Sequence, residues 1–201
     1  MAAIPKFDEP VCEEPAFRLT SIGVEDYLAA EDGAGFRSEY IAGQVFAMTG
    51  ASATHNIICV NLALALAPHA RAGGCQFFLN DMKLRLSLRG IDCFYYPDAM
   101  ICCDPADDHP LYRERPCLLV EVLSESTARI DRREKYLSYT QIAGLCGYLL
   151  LDQDAARAQL HRCDDDGLWQ QQSFDDPAAV LDLPCAGAVP LAELYAGLHI
   201  G

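Results

Sequence analysis

Positive charge is scarce in this chain of 201 residues. Lysine and arginine together number 15 against 29 aspartate and glutamate residues, which gives a formal net charge of -14. An acidic protein repels polyanions at long range, so binding to nucleic acid is disfavoured unless arginines cluster locally or bound cations reverse the charge. The lysines are only Lys6, Lys83 and Lys135.

Two further features are missing. No apolar run reaches the roughly 18 residues that a membrane span requires, and the N-terminal sequence MAAIPKFDEPVCEEP lacks the apolar stretch of a signal peptide. We therefore expect a cytoplasmic protein without membrane contact. None of the ten cysteines forms a C-x-x-C pair, so we expect buried free thiols rather than structural zinc.

The order of the hydrophobic patterns predicts a single domain. Residues 1–18 are an acidic, proline-containing lead-in, and residues 19–201 form the domain. A short helix, a hairpin at Ala42-Gly43 and a long helix are followed by several strand patterns and a helical segment at 127–140. These elements predict an α/β (α+β) fold with a central mixed β-sheet flanked by helices.

Two carboxylates interrupt apolar strand patterns. Glu121 lies within LLVEVL, and Asp98 opens the apolar strand that follows Pro97. A buried unpaired carboxylate is costly, so each must be protonated, ion-paired or bound to a cation. Neighbouring carboxylates can hold Mg²⁺ or Mn²⁺, which makes Asp98 and Glu121 the predicted metal ligands. The alternative is that Glu121 pairs with an arginine such as Arg85.

The order Pro-Asp followed by a strand glutamate resembles the signature of PD-(D/E)XK nucleases. The lysine of that signature lies two residues after the acid, where this chain has Leu123. Lys135, on the predicted helix, is the candidate replacement, and its alternative role is an ordinary i, i+4 pair with Asp131. Lys83, on the polar face of the strand MKLRLSL, is the rival candidate.

The resemblance becomes more specific when longer segments are compared. The segments SEYIAGQVFAM, YYPDAMI, LLVEVLSESTARIDRREKYLSY and GYLLLD resemble the Uma-two family of restriction-endonuclease-like proteins over residues 19–194. The resemblance implies a restriction-endonuclease-like core and metal-dependent hydrolysis of phosphodiesters, with DNA as the favoured substrate. It places the family's acids on Glu39, Asp98 and Glu121 and its lysine on Lys135. Gln44 stands where the family commonly has a glutamate.

We therefore predict a Mg²⁺- or Mn²⁺-dependent endonuclease with Glu39, Asp98, Glu121 and Lys135 as its catalytic residues. His55, at the start of the long helix, is either a phosphate contact or a structural hydrogen-bonding group. A homodimer is expected because a duplex presents two strands. DNA would need a local strip of arginines, for which the candidates are Arg71, Arg85, Arg89, Arg129, Arg132 and Arg133.

Two other functions are compatible with the same residues. The first is a non-catalytic binding or scaffold module that retains the nuclease fold. The second is a hydrolase of small phosphoesters, for which a polyanion-repelling surface matters less.

Overall fold

The computed structural model describes residues 21–48, 50–124 and 128–200. The helical elements are α1 (Val24–Glu31), α2 (Ala53–Ala72), α3 (Ala128–Ile130), a π-helical turn (Asp131–Lys135), α4 (Tyr136–Tyr139) and α5 (Leu191–Leu194). The first six strands are β1 (Ser38–Ile41), β2 (Gln44–Ala47), β3 (Gln76–Leu79), β4 (Lys83–Leu88), β5 (Ile91–Tyr95) and β6 (Ala99–Cys102). The others are β7 (Tyr112–Arg113), β8 (Leu118–Leu123), β9 (Gly147–Asp152), β10 (Ala158–Cys163), β11 (Trp169–Phe174), β12 (Val180–Leu183) and β13 (Gly187–Pro190).

Most strands belong to two sheets of different size. The large sheet has the order β11-β10-β9-β8-β6-β3, and only β8 and β9 run parallel in it. The small sheet has the order β2-β1-β5-β4-β7. Strands β12 and β13 form a separate antiparallel hairpin. The helices and mixed sheets confirm the predicted α+β class, but the sequence did not reveal the division into two sheets or the last hairpin.

Two apolar clusters cover the two faces of the large sheet. Helix α2 packs on one face, where Leu62 and Leu66 contact residues such as Val120. The small sheet and α4 cover the other face, where Leu84 and Tyr139 share a cluster with Leu119. Because β8 is buried on both faces, its sequence is a nearly continuous apolar run.

The predicted hairpin at Ala42-Gly43 joins β1 to β2. Both residues have positive φ angles, 53° and 87°, which the tight two-residue turn of a twisted hairpin requires. A Cβ atom at Gly43 would lie 2.0 Å from the Ser21 hydroxyl oxygen and 3.0 Å from its Cβ, so any larger residue requires Ser21 to shift. The turn therefore depends on glycine for both conformation and space.

Some expectations fail, and others lie outside the described residues. Cys75 and Cys103 form a disulfide, which contradicts the expectation that the cysteines are free thiols. The lead-in at 1–18 lies outside the described residues, so the predicted domain division stays a prediction. Within the part of the chain that the structure describes, no helix is both long and apolar enough to cross a bilayer.

Candidate active site

Strand pairing brings Asp98 close to Glu121. Strands β6 and β8 are antiparallel neighbours, and Ala99 pairs with Val120. Continuing this register by one residue places Asp98 opposite Glu121, although 22 residues lie between them in the sequence. Opposed residues point to the same face of a sheet, with Cβ atoms about 4.5–5.5 Å apart. The register therefore places both carboxylates on one face.

Asp98 is held in place by two hydrogen bonds. Its Oδ2 atom accepts from the backbone N–H of Val122 at 2.7 Å and lies 3.3 Å from Nε2 of His55. Ser52 caps α2 by accepting from the backbone N–H of His55 at 3.1 Å, which fixes the histidine at the start of the helix. Burial alone would lower the pKa of His55, but the hydrogen bond and charge of Asp98 outweigh it and raise that pKa.

Glu121 is a buried carboxyl group with two donors. Only 4% of the residue is exposed, and its Oε1 atom accepts from Lys135 Nζ at 3.0 Å and from the Tyr139 hydroxyl at 3.0 Å. Burial raises the pKa of Glu121 well above its ordinary value, and the negative charges of Asp131 and Asp98 raise it further, against the opposing effect of Lys135. Burial and the neighbouring carboxylates thus oppose ionisation of Glu121, whereas Lys135 favours it.

Lys135 connects three carboxylates. Its Nζ atom lies 3.0 Å from Glu121 Oε1, 3.1 Å from Asp131 Oδ1 and 3.3 Å from Glu39 Oε1. Burial would lower the pKa of this lysine, but the surrounding carboxylates outweigh that effect and raise it. The ammonium group therefore stays charged. The i, i+4 pair with Asp131 does form, but it is one of three ion pairs rather than the whole role of Lys135.

These groups line a cavity of about 770 Å³ at the junction of the two sheets. Glu39 comes from β1 of the small sheet, Glu121 from β8 of the large sheet, and Asp98 from the link between β5 and β6. Lys135 enters from the π-helical turn, a feature that is frequent at functional sites. The structure thus brings all four residues that were selected from the sequence to one cavity.

Two interpretations that the sequence left open are now decided. Arg85 does not neutralise Glu121, because it pairs with Asp92 at 3.2 Å and with Glu114 at 3.4 Å on the small sheet. The rival Lys83 lies 3.7 Å from Glu31, outside the residues that line the cavity. Among the lysines of the described chain, only Lys135 lines it.

Comparisons with known proteins identify the family of the chain. Residues 24–191 match the family Uma2, which is described as "Putative restriction endonuclease". The chain belongs to the Uma2 family. This confirms the resemblance that the sequence motifs indicated.

Two uncharacterized proteins of Synechocystis are similar to this Uma2 chain. One is 32% identical over 161 residues, which cover 79% of this chain and 83% of that protein. The other is 33% identical over 147 residues, which cover 72% of this chain and 82% of that protein.

A solved structure from Anabaena variabilis, named a "putative nuclease belonging to DUF820", has a similar fold. The TM-score is 0.68 at 16% sequence identity, and the match covers 86% of this chain and 96% of that one. At this level of identity the likeness supports the fold alone.

Sequence reasoning gave no site role to Asp131 or Tyr139. These residues lie four before and four after Lys135; Asp131 contacts the lysine, and the Tyr139 hydroxyl donates a hydrogen bond to Glu121. Their spacing belongs to a segment that carries the family resemblance, and it was the available signal, because residues four apart share a helix face. Arg37, two residues before Glu39, also lines the cavity and was not among the predicted site residues.

Proposed function

We propose that this Uma2 chain is a Mg²⁺- or Mn²⁺-dependent nuclease that hydrolyses phosphodiester bonds in DNA. The observation that carries the proposal is the position of Asp98 opposite Glu121, with Lys135 Nζ 3.0 Å from Glu121 Oε1. The family description, "Putative restriction endonuclease", supports phosphodiester cleavage as the reaction.

The donor set fits a hard divalent cation. Four carboxyl groups, those of Glu39, Asp98, Glu121 and Asp131, line the cavity. Lys135 is the buried cation among them, and it lies 3.1 Å from Oδ1 of Asp131. Mg²⁺ and Mn²⁺ prefer oxygen ligands of this kind. We assign Asp98 and Glu121 as the residues that would hold the ion.

The ion and the other residues of the cavity would have separate roles in the reaction. When bound, the ion supplies Lewis acidity toward water and phosphate oxygens. Lys135, kept charged by its three carboxylate neighbours, would orient the attacking water and stabilise negative charge that develops on the phosphate. Glu39, which reaches Lys135 from β1 of the small sheet, would accept a proton or hold a second ion. His55 would keep Asp98 in position and is near enough to the cavity to contact a phosphate oxygen.

Plasmid cleavage is the direct test. We expect the purified full-length chain to nick or cut supercoiled DNA with Mg²⁺ or Mn²⁺ and to stop when EDTA is added. Asp98→Asn and Glu121→Gln should abolish cleavage, whereas Asp182→Asn, at an exposed carboxylate paired with Arg162, should not.

The same experiment separates the alternative functions. Cleavage of a small phosphodiester but not of DNA would show that the chain is a small-phosphoester hydrolase instead. Metal binding without hydrolysis of either substrate would favour a binding or scaffold module.

We also propose that the active form is a homodimer, since two strands of a duplex call for two sites. Helix α2 exposes three apolar side chains, Ile57, Val60 and Leu64, which a second copy could cover. Light scattering should give twice the chain mass of 22.0 kDa at micromolar concentration, and a mass near 22.0 kDa would contradict the dimer. The cytoplasmic location stays a prediction.

A further inference from the structure

A group of cysteines lies at the other end of β6 from Asp98. Cys103 directly follows β6, and Cys75 directly precedes its neighbour β3. Because Gln76 pairs with Cys102 in this antiparallel pair, the next residues outward, Cys75 and Cys103, face each other and form the disulfide. Cys117 directly precedes β8, the other neighbour of β6, so it reaches the same end of the sheet.

Cys185 completes the group from a separate part of the chain. It lies in the turn between β12 and β13, with a positive φ of 62°, and its sulfur reaches Cys103 and Cys117. The sulfurs of Cys103 and Cys117 are 3.3 Å apart. The three sulfurs of Cys103, Cys117 and Cys185 all lie within 4.8 Å of one another. Three sulfurs from three separate segments therefore gather at one point, and the sulfur of Cys75 is bonded to one of them, that of Cys103.

The distances among the sulfurs of Cys103, Cys117 and Cys185 are close to those of a thiolate metal site, and Cys75 can supply the fourth sulfur once its bond to Cys103 is reduced. In tetrahedral coordination, zinc–sulfur bonds of about 2.3 Å place the sulfurs about 3.8 Å from one another. We propose that Cys75, Cys103, Cys117 and Cys185 bind Zn²⁺ or a similar thiolate-seeking cation when the Cys75–Cys103 disulfide is reduced. The site is chemically distinct from the carboxylate cavity, because thiolates select zinc whereas carboxylates select Mg²⁺ or Mn²⁺.

The site needs a reduced disulfide because the oxidised chain has too few thiolates to bind the cation. A disulfide sulfur carries no thiolate charge, so the oxidised chain offers only Cys117 and Cys185, fewer than the four ligands of a structural zinc site. A dithiol reductant supplies two electrons and two protons to the disulfide, becomes a disulfide itself and leaves Cys75 and Cys103 as thiols. Binding of the cation by four thiolates then releases four protons from the four thiols. Reduction thus turns a covalent link between β3 and β6 into a metal link that also includes the segments before β8 and between β12 and β13.

Co²⁺ is a suitable probe, because thiolate coordination gives it charge-transfer and tetrahedral d–d absorption bands that oxygen ligands do not produce. The full-length chain would be reduced with a phosphine under anaerobic conditions, freed of reductant and titrated with Co²⁺. We expect thiolate bands that saturate at one Co²⁺ per chain and disappear when Zn²⁺ is added. The oxidised chain should show none.

Variants locate the site. Cys185→Ser changes an exposed residue and should weaken Co²⁺ binding at least about tenfold, as expected when a direct ligand is lost. Cys163→Ser, at a half-buried cysteine outside the group, should leave the titration unchanged. Asp98→Asn should also leave the thiolate bands intact, since Asp98 lies in the carboxylate cavity, beside His55 and Cys59, and not in the cysteine group.

Three outcomes would overturn the proposal. They are the absence of thiolate bands in the reduced chain, equal bands in the oxidised chain, and full retention of the bands in Cys185→Ser. Circular dichroism of each variant distinguishes loss of a ligand from loss of the fold.

Discussion

Lys135 Nζ lies 3.0 Å from Glu121 Oε1, although 14 positions separate the two residues in the sequence and the lysine sits on a different element. In the PD-(D/E)XK pattern, the lysine would follow the acid on the same strand, where this chain has Leu123. The Leu123 side chain is instead 4% exposed within the apolar cluster between the two sheets. The π-helical turn thus supplies the charge that the strand lacks.

Replacing Lys135 with methionine should abolish cleavage and destabilise the fold. The substitution leaves Glu39, Glu121 and Asp131 without their shared cation, and breaking a buried ion pair costs about 3 kcal/mol. Urea unfolding and plasmid cleavage measure the two effects. Lys83→Met is the matched control, because that lysine is also buried but pairs with Glu31 outside the cavity. Full activity of Lys135→Met, or loss of activity in folded Lys83→Met, would contradict the assignment.

Glu121→Gln and Asp98→Asn should each weaken Mn²⁺ binding about 100-fold or more, since loss of an outer-shell partner alone costs about 10- to 100-fold. Isothermal titration measures the affinity, with Asp182→Asn as the control for removing an exposed carboxylate. Equal Mn²⁺ affinity in all three variants would place the ion elsewhere.

The contribution of His55 to stability should fall as the pH rises. Its pKa in the folded chain is above the ordinary value of 6.5, so its pairing with Asp98 stabilises fully below pH 6.5 and is lost as the pH passes through the raised pKa. Urea unfolding of wild type and His55→Gln from about pH 5.5 to about pH 8.5 should therefore show a difference in unfolding free energy that shrinks with pH.

His161 provides a control of opposite sign. Burial and the nearby charge of Arg132 lower the pKa of His161 below 6.5. The contribution of His161 to the free energy of unfolding should therefore grow as the pH rises through the lowered pKa toward 6.5. If the His55 and His161 variants showed the same pH trend, the paired state of His55 would be wrong.

DNA binding should depend on divalent cations and fall steeply with salt. The net charge of -14 repels DNA, so attraction must come from local arginines and from ions that neutralise the cavity. Arg37, 40% exposed at its side chain and lining the cavity, is the first residue to test. Arg37→Gln should reduce the slope of log affinity against log salt by about one.

Fluorescence anisotropy with a labelled oligonucleotide and Ca²⁺, from about 50 mM to about 200 mM salt, measures that slope. Arg162→Gln is the control, because Arg162 is similarly exposed but pairs with Asp182 away from the cavity. Absence of binding with every divalent cation at about 50 mM salt would contradict the nuclease proposal.

The sequence by itself determined the family, the α+β class and the four residues that the structure brings to one cavity. Glu121 stood out because a charge within a buried strand must have a partner, and Asp98 because it opens a second apolar strand. With only three lysines in the chain, the choice of a catalytic lysine narrowed to Lys83 and Lys135.

Only the tertiary structure decided which charges meet. Strand register placed Asp98 opposite Glu121, and the packing of the helical segment on the large sheet brought Lys135, rather than Lys83 or Arg85, to the glutamate. The pairing of β3 with β6 joined Cys75 to Cys103, and the turn between β12 and β13 brought Cys185 to Cys103 and Cys117, which the search for C-x-x-C spacing could not detect. Periodicity reports which face a residue occupies along its own strand, whereas contacts between strands depend on a pairing that no local pattern encodes.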